Sequence, residues 1–562
     1  MTSWLLALIA FAVFFLGYRF YSKFLAEKIF RLNADFQTPA YRFQDGVDFV
    51  PTNRFVLWGH HFTSVAGAAP IIGPAIAMIW GWGPALVWVL VGTVFFAGIH
   101  DFGTLWASIR NKGRSVGAIA REVIGPRALT LFLLIIFFLL LMVNAVFAVA
   151  IGTLFTAFPS SVLPYWLQIP IAMAIGYLVY RRAWRLLAPA LIGLAVLLSL
   201  VWVGAQTPLE LPEDPAGIPT TAWWVFIMLA YGAIASRLPV WLLLQPRDFL
   251  NAHLLFIGLA LLYLGVFVGR PEIVAPMFNS NVPADAPPLL PLLFVTIACG
   301  AISGFHGLVS SGTSSKQLKK ETDARFVGYL GSTGEGLLAV AAILATAAGF
   351  ATFDAWSEHY SSWASASGQG ITAFVSGGGT FLTNLGLPAL LGTTFISIMV
   401  VAFAATTLDT SMRLQRFILA EVGRQYRLPV LQNINFATVL VFVCCAALAF
   451  FADPDNPGAG GMILWPLFGT TNQLLAGLSL LLLSLILWYT GRPFIYTLIP
   501  FLFVATMTTW AMIINVGTFF ADGNMMLTGI GGLILILNIW LILEGVLAVR
   551  HHREPSQVLD AE

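Results

Sequence analysis

Five hundred and sixty-two residues would suffice for about three or four soluble domains, yet 59% of this chain is hydrophobic and only 10% is charged. A soluble fold needs roughly a quarter of its residues charged to cover its surface. With 28 Lys+Arg, 26 Asp+Glu, a net charge of +2 and a mean hydropathy of +0.86, a soluble enzyme, a nucleic-acid binder and a disordered scaffold are excluded, and most of the chain is expected to be solvated by lipid.

In chain order, apolar stretches long enough to cross a bilayer fall at 3–18, 62–80, 84–109, 128–157, 165–181, 186–205, 221–244, 252–269, 289–312, 326–350, 387–410, 434–452, 462–489, 494–517 and 526–549, about fifteen in all. The first has no basic residue before it and no small-residue cleavage site after it, so it is expected to be a membrane helix, not a signal peptide. The longest polar stretch, 19–61, carries Phe24, Leu25, Ile29 and Phe30 at helix-like spacing and is expected to lie along the inner interface. Cys299, Cys444 and Cys445 sit in apolar stretches with no disulfide or zinc spacing, and are expected to pack as small hydrophobes.

Basic residues fall on alternate loops. One set holds Arg19, Lys23, Lys28, Arg110, Lys112, Arg181, Arg182, Arg247, Lys316, Lys319, Arg413, Arg424, Arg492 and Arg550. The other set is mostly acidic, with Glu210, Glu213, Asp285, Asp354, Glu358, Asp453, Asp455 and Asp522. The positive-inside rule then places the N-terminus outside and the C-terminus in the cytoplasm.

Polar or helix-breaking residues at membrane depth mark candidate functional positions. The run Trp58-Gly-His60-His61-Phe-Thr63-Ser64-Val-Ala66-Gly67, followed by Pro70, Gly73 and Pro74, predicts a broken helix with exposed backbone groups; close packing through small residues is the alternative. Asp101, in Gly98-Ile-His100-Asp101, is either a proton carrier or half of a structural pair. Tyr231-Gly-Ala-Ile-Ala-Ser236-Arg237-Leu-Pro239 predicts a second break, and Arg237 either faces an anion or snorkels inward. His306, Ser310 and Ser311 end the ninth stretch, where hydroxyls suit a hard cation or simply bond back to their own helix. Asp409 ends the eleventh stretch one turn from Arg413, so a surface i,i+4 pair competes with a functional reading. Trp465-Pro466 and Gly469-Thr470-Thr471-Asn472-Gln473 interrupt the thirteenth stretch. Asn144 and Glu335 are expected to join helices.

At VPTNRFVLWGHHFTSVAGAAPIIGPAIA, DFGTLWASIRNKGRSVGAIAREVIGP, LPVWLLLQPRDFL, FVTIACGAISGFHGLVSSGTSSK and LWPLFGTTNQLLAG the chain resembles the carbon starvation protein family, the CstA family of bacterial inner-membrane transporters. These stretches spread from about residue 41 to 480 in the family's order. The resemblance implies uptake of peptides or pyruvate when carbon is scarce, with proton coupling for pyruvate, and a location in the bacterial plasma membrane. It also implies a LeuT-like (APC-type) fold of two inverted five-helix repeats. The expected fold class is therefore an all-α polytopic membrane protein with extra N- and C-terminal helices. Its expected parts are an N-terminal helix and interfacial segment (1–61), repeats at 62–205 and 221–410, additional helices at 434–549 and a cytoplasmic tail at 550–562. Both openers carry a break, at 64–74 and 231–239, and they begin on opposite sides, as inverted repeats require.

The function expected is secondary active transport of a small carboxylate, pyruvate before peptide. The substrate is expected between the two breaks, at His60, His61, Ser64, Gly67, Tyr231, Ser236 and Arg237, where freed backbone N–H groups hold a carboxylate. The proton-coupling candidates are Asp101, His306 and Asp409, with Asp101 first because it lies deepest. Ser310 and Ser311, with carbonyls at Ala66 and Gly67, form a candidate cation site; H⁺ or Na⁺ is the coupling ion, and no other cofactor or catalytic residue is expected. No P-loop is present to supply ATP energy. Two other classes compete. An intramembrane enzyme would need histidine boxes or a GxSxG frame, and the paired histidines are only His60-His61 and His551-His552. A sensor without transport would need a soluble output domain.

Overall fold

The computed structural model describes residues 2–46, 48–214, 217–453, 456–458 and 460–550. Asp455, His551 and His552 lie outside the described residues, as does the tail beyond Arg550. Among the described residues the structure is helical, and twelve helices are long and apolar enough to cross a membrane.

The first is α1 (Ser3–Leu16), which runs on through π-helical turns at Gly17–Tyr21 and Leu25–Ile29. Residues 25–30 therefore continue this helix and pack into the protein. Leu25, Ile29 and Phe30 are fully buried, and the Phe30 ring packs 4.8 Å from Phe102 and 5.0 Å from Trp106. The segment is anchored there because Arg110 bonds Glu321 through two nitrogens (2.5 and 2.9 Å) and Glu321 also accepts the Asn33 N–H at 2.6 Å.

Next come α2 (Arg54–Val65) and α3 (Ala69–Ala77), bent by 49° across Ala66–Ala68. Then follow α4 (Trp82–Val91), continuous through a π-helical turn at Gly92–Ala97 into α5 (Gly98–Arg110), a short amphipathic α6 (Val116–Val123), and α7 (Pro126–Ala157). After these are α8 (Val162–Arg182), α9 (Leu187–Gln206), α10 (Thr220–Ala235), α11 (Leu244–Gly269), α12 (Leu289–Thr296) and α13 (Gly304–Gly312). A π-helical turn at Arg325–Tyr329 leads into α14 (Leu330–Ala348). The rest are α15 (Trp363–Thr383), α16 (Ala389–Gln425), α17 (Ile434–Phe451), α18 (Trp465–Tyr489), α19 (Ile495–Ala521) and α20 (Met525–Ala548).

Twelve of the expected stretches are thus single long helices. The other three are not. Stretch 62–80 is the bent α2–α3 pair, and its helix starts earlier, at Arg54, where the Asn53 side chain caps the Phe55 N–H. Stretch 221–244 stops at Ala235, because Pro239 lacks an N–H and restricts the residue before it. Stretch 289–312 is split between α12 and α13 by residues 297–303, where Gly300 has φ +89°. The thirteenth stretch, by contrast, is not interrupted: Trp465–Tyr489 is one helix, with Pro466 in its first turn, where no N–H is needed.

The two broken helices meet. A side chain on Gly73 would collide with the Thr296 carbonyl, and one on Gly300 would reach Pro70. Carbonyls freed at 296–300 are taken by indole and hydroxyl donors: Trp465 Nε1 to Thr296 O (3.2 Å), Trp88 Nε1 to Ile297 O (3.1 Å) and Thr93 Oγ1 to Gly300 O (2.9 Å). Broken backbone at this depth survives only with such partners. α18 adds the remaining staple. Asn472 Oδ1 accepts the Phe305 N–H at 2.9 Å, capping α13, and its Nδ2 donates to Ser303 Oγ at 3.0 Å and Cys299 Sγ at 3.1 Å. Asn144 of α7 joins α16 by donating to Gln415 at 2.9 Å, which is the helix–helix role expected of it.

Candidate functional site

A chain of ionisable side chains crosses the space beside the break at 297–303, between α12 and α13. Asp101 of α5 takes the His100 ring at Oδ1 (Nδ1 at 2.7 Å) and the His306 ring of α13 at Oδ2 (Nδ1 at 2.7 Å). The other ring nitrogen of His306, Nε2, lies 3.1 Å from Glu335 Oε2 of α14. All four side chains are essentially closed to solvent. His306 is therefore sandwiched between two carboxylates.

Local backbone geometry sets these positions. Asp101 and Glu335 each follow a π-helical turn within about two turns of helix. The two turns are locked together: Tyr329 Oη donates to Val94 O at 3.0 Å, and only a glycine at 98 leaves room for the Tyr329 ring. His61 of α2 closes one end. Its Nδ1 lies 2.8 Å from Ser314 Oγ, and its ring edge rests on Gly331, one turn before Glu335.

A second cluster gathers on α8, α10, α11 and α16. Arg247 Nη1 donates to Asp409 Oδ2 at 2.5 Å, and Nη2 to Asp409 Oδ1 at 3.0 Å. Nη1 also reaches Tyr231 Oη at 2.7 Å. Beside this pair, Asn251 accepts from Gln168 (2.5 Å) and donates to Thr406 Oγ1 (2.7 Å).

The expected site residues thus divide. Asp101 and His306 come together, joined by Glu335, which from sequence is only helix–helix glue, and by His100. Asp409 and Tyr231 meet through Arg247, a residue assigned from sequence to a cytoplasmic loop. The expected Asp409–Arg413 surface pair gives way to the buried Arg247 pair, and Arg413 instead donates to the carbonyls of Ala235 (3.3 Å) and Leu238 (2.5 Å). Arg237 is exposed, and Ser236 is buried with its carbonyl taken by Arg416 at 2.7 Å. His60 and Ser64 are half-buried on α2, where Ser64 Oγ bonds back to His60 O at 2.7 Å.

Of the proposed cation ligands, Ala66 and Gly67 lie in the first break, and Pro70 has no N–H to offer the Ala66 carbonyl. The hydroxyl that closes on this break is Thr407 of α16: a Cβ on Gly67 would lie 2.8 Å from its Oγ1. Ser311 is engaged elsewhere, donating to Gly307 O at 2.7 Å and accepting the Val116 N–H at 3.2 Å, while Ser310 Oγ is buried without a hydrogen-bond partner.

Sequence comparisons fit this architecture. The family model for carbon starvation protein CstA matches residues 2–357 and 351–511. The chain is similar to a peptide transporter CstA of Campylobacter jejuni, with 33% identity covering 90% of this chain and 79% of that protein. It is 34% identical to a peptide transporter CstA of Mycobacterium tuberculosis, covering 85% of this chain and 70% of that protein. It is 30% identical to the pyruvate/proton symporter BtsT of Escherichia coli K12, covering 89% of this chain and 80% of that protein. With the family model spanning nearly the whole chain and these relatives aligned over most of their lengths, the chain belongs to the carbon starvation protein CstA family.

Proposed function

We propose that this protein is a secondary active transporter of the bacterial plasma membrane that imports a small carboxylate, pyruvate first, together with protons. The observation that carries the proton coupling is the buried chain His100–Asp101–His306–Glu335, which spans α5, α13 and α14 beside a broken helix. Protonatable groups at membrane depth are costly and are kept for such work. Relatives named as transporters, one of them a pyruvate/proton symporter, support the same reading. An N-terminus outside and a C-terminus in the cytoplasm belong to the same proposal, supported by the alternation of basic and acidic loops. Repeats at 62–205 and 221–410 belong to it as well; Na⁺ held at Ala66, Gly67, Ser310 and Ser311 is the alternative coupling ion.

Peptide uptake is the second reading, and one observation favours it. Arg247 lies between Asp409 and Asp248, so the second cluster offers both a cation for a carboxylate and acids for an ammonium group. Competition separates the two. Purified protein in liposomes takes up labelled pyruvate under a pH gradient while excess lactate, acetate, alanine and dialanine are added. Inhibition by monocarboxylates is the expected result. Inhibition by dialanine but by no simple monocarboxylate overturns the pyruvate reading in favour of the peptide.

A further inference from the structure

The Arg247 cluster holds one positive and two negative charges. Asp409 has taken two guanidinium nitrogens, at 2.5 and 3.0 Å. Asp248 is left 3.6 Å from Nη2, with its Oδ1 buried and without a hydrogen-bond partner, as is Arg247 Nε. An unpaired ionised carboxylate in such surroundings costs several kcal/mol. The uncompensated charge therefore falls on Asp248. Asp248 is also the reachable member: its side chain is 11% exposed, against 0% for Arg247 and Asp409.

The other ionisable groups around it are few. α10 supplies Tyr231, and α8 supplies Tyr165, which packs on Tyr231 with ring centroids 6.2 Å apart. Tyr180 of α8 is turned to Gln245 at 2.6 Å. α16 also carries Arg413 and Arg416, both committed to carbonyls of residues 235–238. The histidines of α2, which also packs on α11, are His60 and His61; Trp58 and Phe62 of α2 meet α11 at Phe256, more than two turns beyond Asp248. α11 itself carries His253, whose Nδ1 lies 2.8 Å from Phe249 O. α14, which also packs on α11, carries Glu335, already beside His306. α1, α9 and α15 bring no ionisable side chain to α11.

We propose that Asp248 is a second proton-binding carboxylate, separate from the Asp101 chain, whose charge decides whether Arg247 serves Asp409 with both guanidinium nitrogens or shares Nη2 with Asp248. Protonated Asp248 leaves Arg247 on Asp409, which fastens α11 to α16. Ionised Asp248, the neighbour of Arg247 in sequence, competes for the Nη2 that otherwise serves Asp409 Oδ1, weakening one of the two bonds to Asp409 and loosening the seam that Asn251 and Thr406 continue. The ligand is a proton, and the element it biases is the α11–α16 contact.

The test is hydrogen–deuterium exchange of the purified full-length protein at about pH 6 and pH 8, with labelling times scaled to the intrinsic rate at each pH. Amides at 244–252 and 402–412 in the wild-type protein are expected to exchange about tenfold faster at the higher pH. Asp248→Asn keeps Arg247 on Asp409, so its exchange stays slow at both pH values. Asp248→Glu restores the pH dependence and guards against a merely misfolded Asn variant. A wild-type seam insensitive to pH, or an Asn variant that loosens as the wild type does, overturns the proposal. Because nothing here depends on uptake, failure of the pyruvate reading leaves this readout intact.

Discussion

Asp101→Asn tests the proton chain most directly. Asp101 accepts from two histidines at 2.7 Å each. Asparagine preserves one acceptor, presents an NH₂ to the other ring and removes the charge. A hydrogen bond to a charged group is worth about 1.5–3 kcal/mol, so charged His306 loses a preference of roughly ten- to a hundredfold. Transport gives the larger signal. If one proton enters with each substrate, a gradient of about two pH units, each worth about 1.4 kcal/mol, sustains about a hundredfold accumulation. The variant is expected to settle at an inside-to-outside ratio of about one while still exchanging labelled for unlabelled pyruvate. The assay is uptake and counterflow in liposomes, acid outside. Accumulation by the variant as high as the wild type would refute the reasoning and move the coupled proton elsewhere.

Arg247→Gln leaves Asp409 buried without its cation and is expected to cost about 3–5 kcal/mol, seen as a lower denaturation temperature in detergent. Arg247→Met combined with Asp409→Leu removes both charges and is expected to recover most of that loss; a double variant as unstable as the single would count against the pairing. Gly67→Ala places a methyl group against Thr407 and Phe147, an overpacking of about 1–3 kcal/mol, and is expected to slow uptake about tenfold, with partial rescue by Thr407→Ala. His359 lies outside the spanning helices, its ring tilted against Phe350 with centroids 5.3 Å apart, and burial lowers its pKa from the usual histidine value. The unfolded chain then binds the proton more readily, so stability is fully present above the usual histidine range and falls as pH drops toward the folded value. Denaturation temperatures at pH 7.5 and 5 are expected to differ less in His359→Gln than in the wild type.

The membrane character, the positions of twelve helices and the first break were legible because hydropathy and Gly/Pro density are local properties. Asp101 and His306 were legible as polar residues in apolar runs. Glu335 announced itself by the same rule, but its partner lies 29 residues away on another helix, and no spacing shows that His306 reaches it. Arg247 was hidden by Pro246. A proline beside basic and acidic residues reads as a loop, yet in the first turn of α11 it displaces no hydrogen bond, and the helix begins earlier than its apolar run. The break within 231–239 was legible in Ser236 and Pro239, but the stretch was carried on to 244 because hydropathy continues through Leu238, Val240 and Trp241 although the backbone has already turned.

The π-helical turns before Asp101 and Glu335 have a consequence for the phase of these helices. A π-helical turn accommodates one residue more than the α-helix would, and one residue corresponds to about 100° of azimuth. The facing of both acids is thus set upstream, at 92–97 and 325–329, by a surplus residue in each helix. Were either surplus to migrate by one turn along its helix, the residues it passed would rotate by that angle while the ends of the helix stayed in place. Asp101 or Glu335 could in this way leave His306 with no helix tilting and no domain rocking, which makes these two turns a bearing on which the proton chain can be made and broken.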